Sequence, residues 1–310
     1  MAFTNSRAWR ASDWLSGCAA LLALATSLSA QDMKPPSLSA GELVRRVVAQ
    51  AVAANDSPIK HIFCSQKKTP KGWETRLYVE TNDAMVGMLI AVNGQPISAQ
   101  QQQAENDHLA WLMNNPDQLL KKRAREKEDA ERSLRIVKAL PDAFLYEYAG
   151  TETGRPDLGR TGDPLIRLKF RPNPEYSPPT HVEQVLQGMQ GFLLVDEKAM
   201  RIARIDGTLF REVSFGWGIF GHLDQGGQFF VQQADIGDGD WEITRMTVKM
   251  TGKILLFKSL SIISDETFSD YRRVANNLSF TQGVNLLKAE SEKRAHNSGQ
   301  EPSEAMKNPK

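Results

Sequence analysis

Between residues 190 and 273 apolar and polar positions alternate in short runs separated by glycine and acidic turns. The runs 191–195, 200–205, 208–215, 228–233, 241–250 and 254–263 are rich in aromatic and β-branched residues, which suit a pleated surface. Asp206-Gly207, the acidic and glycine-rich stretch 235–240 and Thr251-Gly252-Lys253 separate them, and such steps supply the positive φ of tight hairpins. The pattern therefore predicts local, antiparallel connections. In 241–250, Met246, Val248 and Met250 share one face while Arg245, Thr247 and Lys249 share the other, as in a strand with one wet side. Five glycines fall within 216–227, where they mark bulges or bends and predict a curved sheet.

Upstream the period is helical first. Ser39-Ala40-Gly41-Glu42 reads as a capping box for a helix to residue 54, with Leu43, Val44, Val47, Val48, Ala51 and Val52 on one stripe. Strands are expected at 59–67, 73–81 and 85–92. After Asn93-Gly94 the period changes again, to helices at 98–112 and 117–139. The second is dense in both charges, with opposite pairs such as Lys122 with Glu126 and Lys127 with Glu131, and reads as a solvated face or a partner-binding arm. A strand over 141–150 carries Phe144, Tyr146 and Tyr148 on one face, and 165–170 is a further strand. The proline-rich 171–179 is a surface crossing. From 276 the chain turns polar and reads as a disordered tail, clearest from 290. The expected fold class is α+β: a strongly curved antiparallel sheet, an incomplete β-barrel, with the N-terminal helix and the 98–139 insertion covering its concave side.

Composition changes this picture little, and the termini more. The chain has 310 residues and a net charge of +1, so no broad field attracts nucleic acid or anionic lipid. Residues 1–30 read as a secretory signal, with Arg7 and Arg10 before an apolar stretch and small residues up to Ala30, giving cleavage near Ser29 or Ala30. The apolar stretch is short of the about 20 residues of a membrane span. Leu15-Ser16-Gly17-Cys18 spells a lipobox, but the apolar run follows the cysteine, which argues against lipid anchoring. Removal of the leader leaves Cys64 as a lone thiol, a buried small hydrophobe or a reactive group. The expected organisation is a signal peptide over 1–30, one domain over 31–275 and the tail over 276–310.

No motif fixes a reaction. Gly216-x-Gly218-x-x-Gly221 matches the dinucleotide fingerprint literally, but the sequence after it leads to a strand where the fingerprint needs a helix. The histidines are scattered without metal-ligand spacing; His222 with Asp224 is the most suggestive. Asp235, Asp238 and Asp240 depart from the order of a calcium loop. No metal or cofactor is implied. What remains is apolar: Phe215, Trp217, Ile219, Phe220, Met246, Met250 and Phe257 are the candidate lining of a ligand cavity, or else core filling.

Gly191-Phe192-Leu193-Leu194-Val195-Asp196, Arg201-Ile202-Ala203-Arg204-Ile205-Asp206-Gly207, Phe215-Gly216-Trp217-Gly218, Trp241-Glu242, Gly252-Lys253 and Phe268-Ser269-Asp270-Tyr271-Arg272 carry a likeness over 190–273. The chain resembles uncharacterised bacterial envelope proteins grouped near the LolA/LolB-like half-barrel of outer-membrane lipoprotein sorting. That resemblance implies an apolar concave face capped by helices, holding a lipid, a lipoprotein acyl chain or another apolar ligand, in a non-enzymatic periplasmic protein. The alternative is an envelope interaction protein whose sheet is filled by its own side chains, with an envelope protein as partner. A hydrolase without local motifs is a third reading.

Overall fold

The computed structural model describes residues 38–54, 57–216, 221–254 and 258–298. Helix α1 is Ala40–Ala54, and strands β1 Lys60–Thr69, β2 Gly72–Val79, β3 Val86–Val92 and the short β4 Gln95–Pro96 follow. Helices α2 (Ala99–Asn114) and α3 (Pro116–Ala143) form the insertion. Then come β5 Phe144–Thr153, β6 Pro164–Pro172, α4 His181–Gln184 with a 3₁₀ turn Val185–Gly188, β7 Met189–Asp196, β8 Arg201–Leu209, β9 Val213–Phe215 and β10 Gly221–Leu223. Strands β11 Gln228–Gly237, β12 Asp240–Ile254 and β13 Lys258–Val274 precede helix α5, Phe280–Ser298.

The strands form one antiparallel sheet in the order β4-β3-β2-β1-β13-β12-β11-β8-β7-β6-β5, with β10 on β12 and β9 on β10. Both halves are built from neighbours in sequence, except that β8 pairs with β11 past β9 and β10; the β1–β13 pairing joins them. The sheet is open and not strongly curled, which corrects the expected strong curvature. The glycines produce local breaks instead. Gly252 lies where the backbone of His222 crosses so closely that a Cβ would meet its carbonyl oxygen at 2.0 Å.

Register explains how one face became apolar. Tyr146 pairs with Phe170, Leu168 with Leu193, Leu193 with Ile205, Ile205 with Val231, and Val231 with Met246. Directly paired residues share a face, so the period-two apolar positions of successive strands line up into one surface. Helix α1 buries Leu43, Val44, Val47 and Val48 against it, together with Leu140 and Ala143 at the end of α3. The Ser39 hydroxyl caps the helix by accepting from the Glu42 amide at 3.2 Å, while the Glu42 carboxylate pairs with Arg46 at 3.1 Å. The full reciprocal capping box occurs in α2, between Ser98 and Gln101.

The same pairing puts a second core on the opposite face. Glu266 pairs with both Met246 and Lys67, so Lys67 lies on the first apolar face. Three positions earlier in the same strand, Cys64 points the other way. Cys64, Ile62, Leu77, Val79, Val86 and Met88 pack there under Leu109 and Leu112 of α2 and Phe280, Val284 and Leu287 of α5. The insertion is thus divided: α3 ends on one face and α2 lies on the other, which corrects the expectation that all of 98–139 covers a single concave side.

Two boundaries also move. The segment expected as a tail from 276 contains α5, whose Phe280, Val284 and Leu287 are fully buried although the helix is mostly polar in sequence. Helix α3 continues past Pro141 to Ala143. Proline removes one donor there, and the Tyr146 hydroxyl donates to the Leu140 carbonyl at 2.8 Å, satisfying an acceptor at the helix end.

Candidate functional site

Where the end of α3 and the 3₁₀ turn lie over the first apolar face, they leave a cavity of about 360 Å³. Its floor is the in-register ladder: Phe144 and Tyr146, Phe170, Met189 and Leu193, Ile205, Phe229 and Val231, then Ile243, Met246 and Met250. Its roof is Ile136, Val137 and Leu140 of α3 with Val185 and Leu186 of the turn. Ser133 and Gln233 are the polar lining residues, with the hydroxyl of Tyr146. Burial pushes that hydroxyl far above its ordinary pKa, so it stays protonated and remains a donor to Leu140. The chemistry available is accommodation of apolar surface, with methionine side chains able to adapt to more than one shape.

Of the residues singled out in the sequence, Met246 and Met250 line this cavity. Phe215 does not; it is half-buried at the margin of the same core, where its ring meets His181 edge-on at 6.4 Å. Trp217, Ile219, Phe220 and Phe257 lie outside the described residues. Sequence reasoning missed the roof. Its signal was the apolar spacing Ile136-Val137-x-x-Leu140 directly after the charge run of α3. The charged part of that helix behaves as expected, with Lys122 and Glu126 at 2.6 Å and Lys127 and Glu131 at 3.9 Å.

A polar cluster was not anticipated. The buried His61 ring places Nε2 3.2 Å from Asp240 and Nδ1 3.3 Å from Glu242 and 3.7 Å from Glu80. Tyr271 packs on the ring edge-on. Arg273 donates to Asp240 at 2.6 Å and holds that carboxyl below its ordinary range, with His61 adding to the effect. Burial, reinforced by Glu80 and Asp240, pushes Glu242 up to about 7. The cluster ties β1, β12 and β13 together where their ends meet.

The other sequence candidates are engaged locally. Asp235 pairs with Arg160, and Asp238 and Asp240 with Arg273, so the acidic turn is bound up in ion pairs. His222 and Asp224 approach to 3.3 Å at the surface. The glycine fingerprint runs into strand β10, with 217–220 outside the described residues. Among the described residues no helix is long and apolar enough to cross a membrane.

No family model and no curated protein matches the sequence. Among solved structures, the chain is similar to a domain from Vibrio parahaemolyticus provisionally described as an outer membrane lipoprotein-sorting protein. The identity is 9%, the match covers 79% of this chain and 99% of that one, and the TM-score is 0.29. It is similar also to a DUF1329 family protein from Desulfovibrio piger, at 11% identity, covering 81% of this chain and 100% of that one, with a TM-score of 0.30.

Proposed function

We propose that this chain is a non-enzymatic binding module that holds an apolar ligand, such as a lipid acyl chain, in the cavity between α3 and the sheet. The observation that carries the reading is the cavity itself: about 360 Å³, lined almost throughout by apolar side chains from strands that are otherwise closely packed. Ligand sites of roughly 300–1,000 Å³ with few polar groups are the usual form of small-molecule pockets. A leader over 1–30, cleaved near Ser29 or Ala30, would deliver the module to the periplasm. The binding domain in this reading extends through α5, because that helix is packed into the second core.

Native mass spectrometry of the protein purified from bacterial periplasm tests the assignment. A copurified lipid that leaves on gentle activation is the expected result, and its mass names the ligand class. Met246→Asp on the floor and Ile136→Trp on the roof should each abolish the adduct while the chain stays folded. An adduct that persists in both variants would place the ligand elsewhere.

A further inference from the structure

The apolar floor of the cavity does not stop at the cavity. Met250 pairs with Ile262, Gly252 with Leu260 and Ile254 with Lys258, without a register break from Arg245 onward. Ile262, Leu260 and Ile254 therefore continue the face that carries Met246 and Met250, out along the far end of the β12–β13 hairpin. There the strip leaves the core: Ile254 is 37% exposed, Ile262 45%, and Ile263 on the other face 69%. Apolar side chains so exposed and so close together are unusual unless something covers them.

The charge pattern says what. From 243 to 264 the sequence carries Arg245, Lys249, Lys253 and Lys258 and no carboxylate, although the whole chain is nearly neutral. Arg245 pairs with Asp265, while Lys249, Lys253 and Lys258 are exposed and have no ion pair among the described residues. The edge is open as well. Strand β1 pairs with β13 only as far as Glu266, so 258–265 has β12 as its one neighbour among the described residues. Lys258, on the edge strand itself, also hinders strand-to-strand association. Lys258 lies on the face of the strip, paired with Ile254, while Lys249 and Lys253 lie with Ile263 on the other. The hairpin end thus carries apolar side chains and unpaired lysines on both faces, which matches a surface that offers apolar depth and negative headgroups together.

We infer that 248–254 and 258–264 form a docking surface for an anionic lipid bilayer, placing the strip Met250, Ile262, Leu260 and Ile254 between the membrane and the cavity. This deepens the apolar-ligand reading and rests on it for the exchange of a ligand along the strip; docking itself stands on the hairpin alone.

Flotation with vesicles tests it, using the full chain expressed with its own leader so that every variant shares one N-terminus. Phosphatidylglycerol mixed with phosphatidylcholine is compared with phosphatidylcholine alone, and phenylnaphthylamine fluorescence reports the cavity separately. The wild-type chain should bind the anionic vesicles in a salt-sensitive way, and K253E/K258E should weaken that binding by roughly tenfold or more. Ile262→Asp should weaken it too, and both variants should keep phenylnaphthylamine binding. Equal flotation of K253E/K258E and wild type, or equal binding to neutral vesicles, would overturn the proposal. So would a change from dimer to monomer in Ile262→Asp with no effect on flotation, which would make the edge a contact between copies. Intact docking with no phenylnaphthylamine binding by the wild-type chain would remove the cavity reading and leave the membrane surface standing.

Discussion

The two helix-covered faces of the sheet are built from the same materials and finished differently. Over β1–β3, α5 lies close enough that a Cβ on Gly283 would meet Thr81 at 2.7 Å, Val86 at 3.0 Å and Val79 at 3.1 Å. Phe280, Val284 and Leu287 are fully buried there, beside Leu109 and Leu112 of α2. Over β5–β8, β11 and β12, α1 seals one part, but the end of α3 stands off from the strands and leaves the 360 Å³ cavity. A small residue at the contact lets one helix settle into the sheet, whereas Ile136, Val137 and Leu140 hold the other away. The helix–sheet contact is thus tight under α5 at Gly283 and loose under the end of α3, where a ligand is proposed.

The sharpest way to break this comparison is truncation. Leu287→Ala on the filled face should cost about 2–5 kcal/mol, as for other fully buried leucines, read from urea unfolding. Ile136→Ala on the hollow face should cost much less, because the half-buried side chain already borders empty space. Equal losses would mean that the cavity is not open in solution. Enlargement gives the reciprocal contrast: Gly283→Leu should destabilise by about 1–3 kcal/mol, since fixed Thr81 and Val86 methyl groups must move. Ile136→Trp should leave the unfolding midpoint nearly unchanged while removing ligand.

The charged seam around His61 predicts a pH effect separate from either core. The folded chain holds Glu242 protonated to about pH 7, against an ordinary value of 4.5. The native state therefore binds more protons than the unfolded state between those values, and this group's contribution makes stability fall as pH rises through that window. Asp240 acts in the opposite sense, with stability lost as pH falls below its ordinary 3.8. Glu242→Gln should flatten the thermal-stability profile between pH 4.5 and 7; an unchanged slope would show that the carboxyl is not held in this environment. The smallest effect is expected on the outer side of α3, where Lys127→Ala breaks an exposed 3.9 Å pair and should alter stability by no more than about 0.5 kcal/mol.

Much of the hairpin series was legible because period-two alternation acts within a single strand. Met246, Val248 and Met250 were placed on one face correctly, as were Phe144, Tyr146 and Tyr148, and the cavity floor follows once those strands pair in register. The roof was not legible. Ile136, Val137 and Leu140 sit at the end of a helix whose composition is dominated by its solvated charges, and three apolar residues do not announce which surface they meet. Helix α5 was hidden for the same reason, since its buried stripe is narrow within a polar sequence. The His61 cluster joins residues nearly 180 positions apart and has no local motif.

By itself the sequence determined the alternation within strands, the hairpin turn at 235–240, the α1 stripe and the mixed charge of α3, because each depends on neighbours a few residues away. Asp206-Gly207 and Thr251-Gly252-Lys253, read as turns, instead lie inside β8 and β12. Tertiary structure decided that β1 joins β13, that two cores therefore face opposite ways, that α2 and α3 part to different faces, and that one core remains hollow. Those outcomes depend on long-range register and on how closely a helix approaches a sheet, which is set by side chains distant in sequence acting together.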